Sequence, residues 1–239
     1  MNVLAATTPV IPKFGQASSC EQANGWFCTD WLHAHWGDTL RPALIQHVEL
    51  TLIAVGCGFA ISFALALIGF RFRLLDAPLG VLSDFLYTIP SLALFQLLVP
   101  ITGLTVTTVE IALVSYTLLI LYRNIVEGLR GVPADVLEAA RGMGFTRAQM
   151  FVRVELPLAV PAIVAGLRIA TVSTISIATV AALVLPRGLG HPIFVALGQG
   201  LFKTEILAAG GLAVALALCA DALLALAQRL LTPWNRGHA

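Results

Sequence analysis

Few side chains in this 239-residue sequence are equipped for chemistry, and their spacing points away from catalysis. His33 and His35 are close together but no further ligand accompanies them, and His47, His191 and His238 are scattered, so no Cys/His set has metal-site spacing. There is no nucleophile-base pair and no glycine-rich loop of the kind that cradles nucleotide phosphates. Two pairings remain. Cys20 and Cys28 lie close together in a polar amino-terminal stretch, where an oxidising compartment would permit a disulfide. Arg168 and Asp221 each stand inside an apolar run, where charge is costly and normally paired or directed to water. At 1.5 Å per residue both lie about 15–18 Å in from the nearer end of their runs, deep enough to form an ion pair between them.

These residues are carried by an oily chain. Hydrophobic residues make up 58% and charged residues 11%, against the roughly 25% charged that is usual in soluble domains. The mean hydropathy is +0.89. The composition is that of an all-α, polytopic membrane bundle, and a net charge of +1 gives no reason to expect nucleic acid as a partner.

Five apolar runs are long enough to cross a bilayer: residues 44–70, 78–102, 106–122, 158–185 and 205–231. The second is interrupted by Ile89-Pro90-Ser91, which predicts a kink or break, and a broken span often borders a pathway. Tyr87, Phe95, Tyr116 and Tyr122 are spread over different runs and read as packing. Residues 1–43 precede the spans; from Cys28 to Gln46 the spacing of Phe27, Trp31, Leu32, Leu40 and Leu44 predicts an amphipathic segment lying on the bilayer surface. Residues 44–233 form the membrane domain and 234–239 a tail.

Between the third and fourth spans, residues 131–157 carry helix formers, charges and small residues together. Pro133 suits a helix start, Ala134 to Met143 reads as helix, and Gly144 breaks it. A second short helix is expected from Thr146 to Val154, ended by Leu156-Pro157. Phe145, Met150, Phe151 and Val154 give it an apolar face for a partner, with Ala139 and Ala140 as small packing positions and Glu138 and Arg147 at the rim. The arginines place this loop. Arg71, Arg73, Arg123, Arg130, Arg141, Arg147, Arg153, Arg229 and Arg236 fall on one side of the spans, and Lys13, Arg41, Arg187 and Lys203 on the other. By the positive-inside rule the loop and carboxyl terminus are cytoplasmic and the amino terminus outside.

Glu138-Ala139-Ala140, Gly144 and Val154-Glu155-Leu156-Pro157 resemble the Glu-Ala-Ala loop of permease subunits of ATP-binding-cassette importers, with Val154 where isoleucine is usual. Gly128 to Pro133, Leu137 to Gly144, Arg153 to Pro157 and Leu223 to Pro233 look like the osmoprotectant branch, which imports glycine betaine, choline and carnitine. Arg187-Gly188-Leu189-Gly190 resembles that branch's glycine-rich turn, although Pro186-Arg187 replaces smaller residues. The resemblance implies a type I importer permease fold in a bacterial or archaeal cytoplasmic membrane. It implies a partner ATPase that binds ATP and magnesium, no cofactor in this chain, a second permease subunit, and an extracytoplasmic substrate-binding protein. The same resemblance makes the loop residues named above, with Leu156 and Pro157, the ATPase-coupling site. An amino-acid importer is the nearest alternative. A secondary transporter would be expected to show paired broken helices, and only one span is interrupted.

Overall fold

The computed structural model describes residue 20, residues 23–198 and residues 200–233, and among them every regular element is helical. The chain runs through α1 (Thr29–His35), a π-turn at Trp36–Leu40, α2 (Arg41–Arg71), α3 (Arg73–Thr88), α4 (Ser91–Thr102) and α5 (Val106–Arg130). It continues through α6 (Ala134–Gly142), α7 (Arg147–Met150), a π-turn at Phe151–Glu155, α8 (Leu156–Ala181), α9 (Gly190–Gly198) and α10 (Lys203–Leu231). Four helical stretches are long and apolar enough to cross a membrane, and the bent pair α3–α4 is the fifth candidate.

The centre of the bundle is α2, α5 and α8. Small residues let their backbones approach, as membrane helices require in the absence of a strong hydrophobic drive between them. A Cβ on Gly58 would meet the Thr117 side chain, and one on Gly166 would meet Asn124. Leu50, Val109 and Ala178 meet at one end and Ala66, Ile125 and Ile163 at the other, so α2 and α5 run parallel and α8 antiparallel to both. Two apolar clusters fill the space between. One gathers Leu50, Phe95, Val109, Leu113, Tyr116 and Ala178; the other gathers Leu121, Ile125, Leu129, Ala159 and Ile163.

Three expectations are corrected. Residues 28–46 do not form a separate surface segment: Thr29 to Arg71 is one helical run of 43 residues, and Trp31 and Leu40 turn inward against Ala209 of α10. The inward stripe that reads as lipid-facing in sequence has a helix to cover it instead.

The interruption expected at Ile89-Pro90-Ser91 is a break, and the correction to the second span is its start. The span starts earlier, at Arg73, carries Pro78 inside α3, and turns by 96° between α3 and α4. Ile89 is extended (ψ 127°), as a residue before proline tends to be. Its carbonyl accepts a hydrogen bond from the Tyr116 hydroxyl at 2.5 Å, and Phe95 is fully buried beyond the bend.

The third correction concerns Leu156-Pro157, which does not stop a helix. The run from Arg147 to Ala181 is continuous, because a π-turn absorbs the missing proline donor: Leu156 N–H reaches back to Phe151 O, and Pro157 falls in the tolerated first turn of α8. The connection after α8 contains α9.

Candidate functional site: the loop between α5 and α8

The loop is built from two back-to-back helix caps. At the end of α6, Phe145 N–H bonds to Ala140 O and Gly144 N–H to Arg141 O, with Gly144 at φ +80°, the bond pattern of a Schellman ending. Thr146 then opens α7 with a reciprocal capping box: its side chain accepts from Gln149 N–H, while Gln149 Oε1 accepts from Thr146 N–H. The orphan donors and acceptors of both helix ends are thus largely satisfied inside the turn, which fixes the angle between α6 and α7. The Thr-x-x-Gln spacing is a sequence signal for this cap that the reading of glycine and proline alone passed over.

Burial divides the site residues into two sets. Ala140 and Met150 are buried in their own chain, and Phe151 and Leu156 pack against the Leu121–Ile163 cluster. Phe145 and Pro157 are half-buried. Met150 and Ala140, read from sequence as partner-facing, therefore anchor the loop to the bundle, because the tight turn brings those sides of α6 and α7 down onto it. Glu138, Ala139, Gly144 and Arg147 are exposed. Beside them stand Val136 and Met143, the latter 68% exposed, which the sequence reading did not select. The outward face is accordingly small and apolar with charges at its edge.

A groove of about 500 Å3 joins the loop to the end of α2, with Phe70 and Arg71 on one side and Arg141, Arg147, Phe151 and Glu155 on the other. Three arginines here are on the side where α2, α5 and α10 all end, as the charge sorting anticipates. Arg236, Lys13 and the 234–239 tail lie outside the described residues, as do residues 1–19.

Charged pairs lace the helices together. Arg130 Nη1 is 2.7 Å from Asp76, which also accepts from the Tyr122 hydroxyl at 2.8 Å; Arg123 donates twice to Asp84, at 3.2 and 2.5 Å. Both bind α3 to α5, and neither pair is apparent in the sequence because no spacing rule links residues 39 or 54 positions apart. Arg168 and Asp221 are brought together in a two-pronged contact at 2.7 and 2.9 Å. Arg187 reaches Glu49 at 3.2 Å on the opposite end of the bundle from the loop. Cys20 and Cys28 are joined as a disulfide, while Cys57 and Cys219 are free. Among the described residues no three His, Cys, Asp or Glu side chains are grouped to hold a metal ion.

Residues 55–236 match the family model for the binding-protein-dependent transport system inner membrane component. The chain is 35% identical over 198 residues to the choline transport system permease protein OpuBB of Bacillus subtilis, covering 82% of this chain and 90% of that protein. It is 36% identical over 202 residues to the osmoprotectant import permease protein OsmW of Salmonella typhimurium, covering 81% and 92%. Among solved structures it resembles the MetNI methionine ABC transporter in an inward-facing conformation. There the TM-score is 0.69 at 19% identity, over 84% of this chain and 97% of that one.

Proposed function

The chain belongs to the family of inner membrane components of binding-protein-dependent transport systems, and from that premise we propose that it is the permease subunit of an ATP-driven osmoprotectant importer. Its cargo on this reading is a quaternary ammonium compound of the choline, glycine betaine and carnitine class. The identity to osmoprotectant permeases over most of the chain supports that cargo class in preference to amino acids.

The observation that carries the mechanism is the doubly capped loop, rigid in itself, fastened to α2 and α5 behind and exposing Glu138, Ala139 and Met143 in front. A connector must be stiff to transmit displacement. The exposed face is the seat for a nucleotide-binding subunit, which supplies ATP and magnesium. When two such subunits close on ATP they draw the loop with them, and the buried Met150, Phe151 and Leu156 pass the motion to the spans. A second permease subunit completes the pathway, and differential affinity of nucleotide for the two arrangements shifts the population between outward and inward openings. The amino terminus then lies outside and the loop and carboxyl terminus inside.

The test is reconstitution. Purified complex in proteoliposomes, supplied with its binding protein, is expected to take up labelled choline or glycine betaine only with ATP on the loop side. Uptake without nucleotide, or purification with no ATPase partner, would falsify the reading.

A further inference from the structure

The seam between α8 and α10 is polar in the middle of two apolar helices. Arg168 and Asp221 stand about 18 and 15 Å from the loop-side ends of those helices, deep within a ~30 Å hydrocarbon layer. The side chains are nevertheless 35% and 37% exposed. They open onto a groove of about 570 Å3, walled by Ala165, Ile169, Val172, Ser173 and Leu218.

The groove continues away from the loop. A second hollow of about 340 Å3 shares Ala217 and Leu218 with it and extends past Ser176 to Thr179 and Gly210. Both of these residues stand about 16 Å further from the loop than the ion pair does. The two hollows make one furrow, from mid-span to the end of the bundle where Arg187 meets Glu49. Ser173, Ser176 and Thr179 follow one another at three-residue steps, so their hydroxyls share the α8 face that borders it. Ser176 Oγ and Thr179 Oγ1 donate to carbonyls of their own helix, which leaves their lone pairs to the furrow. Arg168 spends Nε and Nη2 on Asp221 and keeps Nη1.

This polarity selects the occupant. Acyl chains offer Nη1 no acceptor and the hydroxyls no partner, whereas water carrying a small polar solute offers both. A bonded arginine and aspartate cancel in net charge yet present both signs side by side. A solute with a quaternary ammonium and a carboxylate complements them, its ammonium beside Asp221 and its carboxylate on Arg168 Nη1. Because the pair is already neutralised, it holds such a solute weakly, as passage requires.

We propose that the α8–α10 furrow lines the cargo path and that Arg168 and Asp221 are its mid-membrane contact with a zwitterionic osmolyte. The proposal rests on the importer reading, which supplies cargo of that chemistry. A second copy then faces the furrow across the path instead of filling it.

The test introduces Ser173→Cys or Ser176→Cys into a chain with Cys57 and Cys219 replaced and the Cys20–Cys28 bond kept. The whole complex, in proteoliposomes, is exposed to a trimethylammonium methanethiosulfonate, a water-borne thiol reagent that resembles the cargo. Both cysteines should react, since a thiol in a wet path can ionise and one against lipid cannot. Their rates should differ between nucleotide-free and ATP-trapped complex. Excess glycine betaine should slow the reaction of Ser173→Cys by about threefold or more, as about two-thirds occupancy requires. Choline, which has no carboxylate, should protect less. Adding Arg168→Lys, which keeps the charge and loses the planar fork, should remove that difference. Cysteines that resist the reagent in both states, or that couple copy to copy under oxidation, would overturn the proposal, as would a reaction that glycine betaine leaves unchanged. If the wild-type complex takes up no quaternary ammonium with ATP, the importer reading falls and this proposal with it; if uptake is normal and the cysteines stay unreactive or unprotected, only the furrow falls.

Discussion

Arg168 grips Asp221 with two donors, Nε at 2.7 Å and Nη2 at 2.9 Å, tying α8 to α10 where both run through apolar sequence. About a third of each side chain remains exposed in the single chain, so the pair faces a groove shared with Ser173 and Ala217. An uncompensated charge there is worse than none. Asp221→Asn and Arg168→Gln should each lower the amount of assembled complex and its uptake several-fold, and the double variant should recover above the worse single. A double variant no better than that single would remove the case for pairing.

Gly144 sits at φ +80°, a conformation that costs a β-branched residue about 1–2 kcal/mol. No side chain crowds the position, so the effect of Gly144→Val is confined to the backbone turn. The variant should assemble and bind its ATPase, yet show little binding-protein-stimulated hydrolysis. Normal stimulation and uptake would count against the turn's role in coupling.

Met143 and Met150 lie in the same loop and face opposite ways. Met143→Asp should weaken association with the nucleotide-binding subunit by about tenfold or more, if it is an apolar contact at the interface. Met150→Ala should instead lower the thermal midpoint of the isolated permease, by opening a hole behind the loop. Titrated pull-down and a melting curve in detergent separate the two, and the reverse pattern would invert the assignment of faces.

The Glu-Ala-Ala loop, the Gly144 break and the intramembrane charges were readable because each is a local departure from an apolar background. The facing of Met143 and Met150 was not, since short helices around a turn have no periodicity long enough to fix their inward side. Pro90 announced an interruption, but its angle depends on where Phe95 and Tyr116 pull the two halves. Pro157 signals a stop in sequence because a proline forbids one bond; the π-turn that routes Leu156 back to Phe151 has no comparable sequence mark.

At the α3–α4 bend the Tyr116 hydroxyl satisfies the Ile89 carbonyl. Tyr116→Phe keeps the ring in the apolar cluster and removes only that donor, leaving a part-buried carbonyl without it. Destabilisation of about 1 kcal/mol is expected, seen as a lower unfolding midpoint. An unchanged midpoint would show that the bend is held by packing alone.

The central claim is that the exposed side of the loop bears on a cytosolic motor. A single cysteine at Glu138, with Cys57 and Cys219 replaced and the Cys20–Cys28 bond left intact, tests it most directly. A short bifunctional maleimide should link that cysteine to the nucleotide-binding subunit in inside-out vesicles, with a yield that changes on adding ATP. Labelling of the same cysteine by an impermeant reagent applied to intact cells, with no crosslink to an ATPase, would contradict the account.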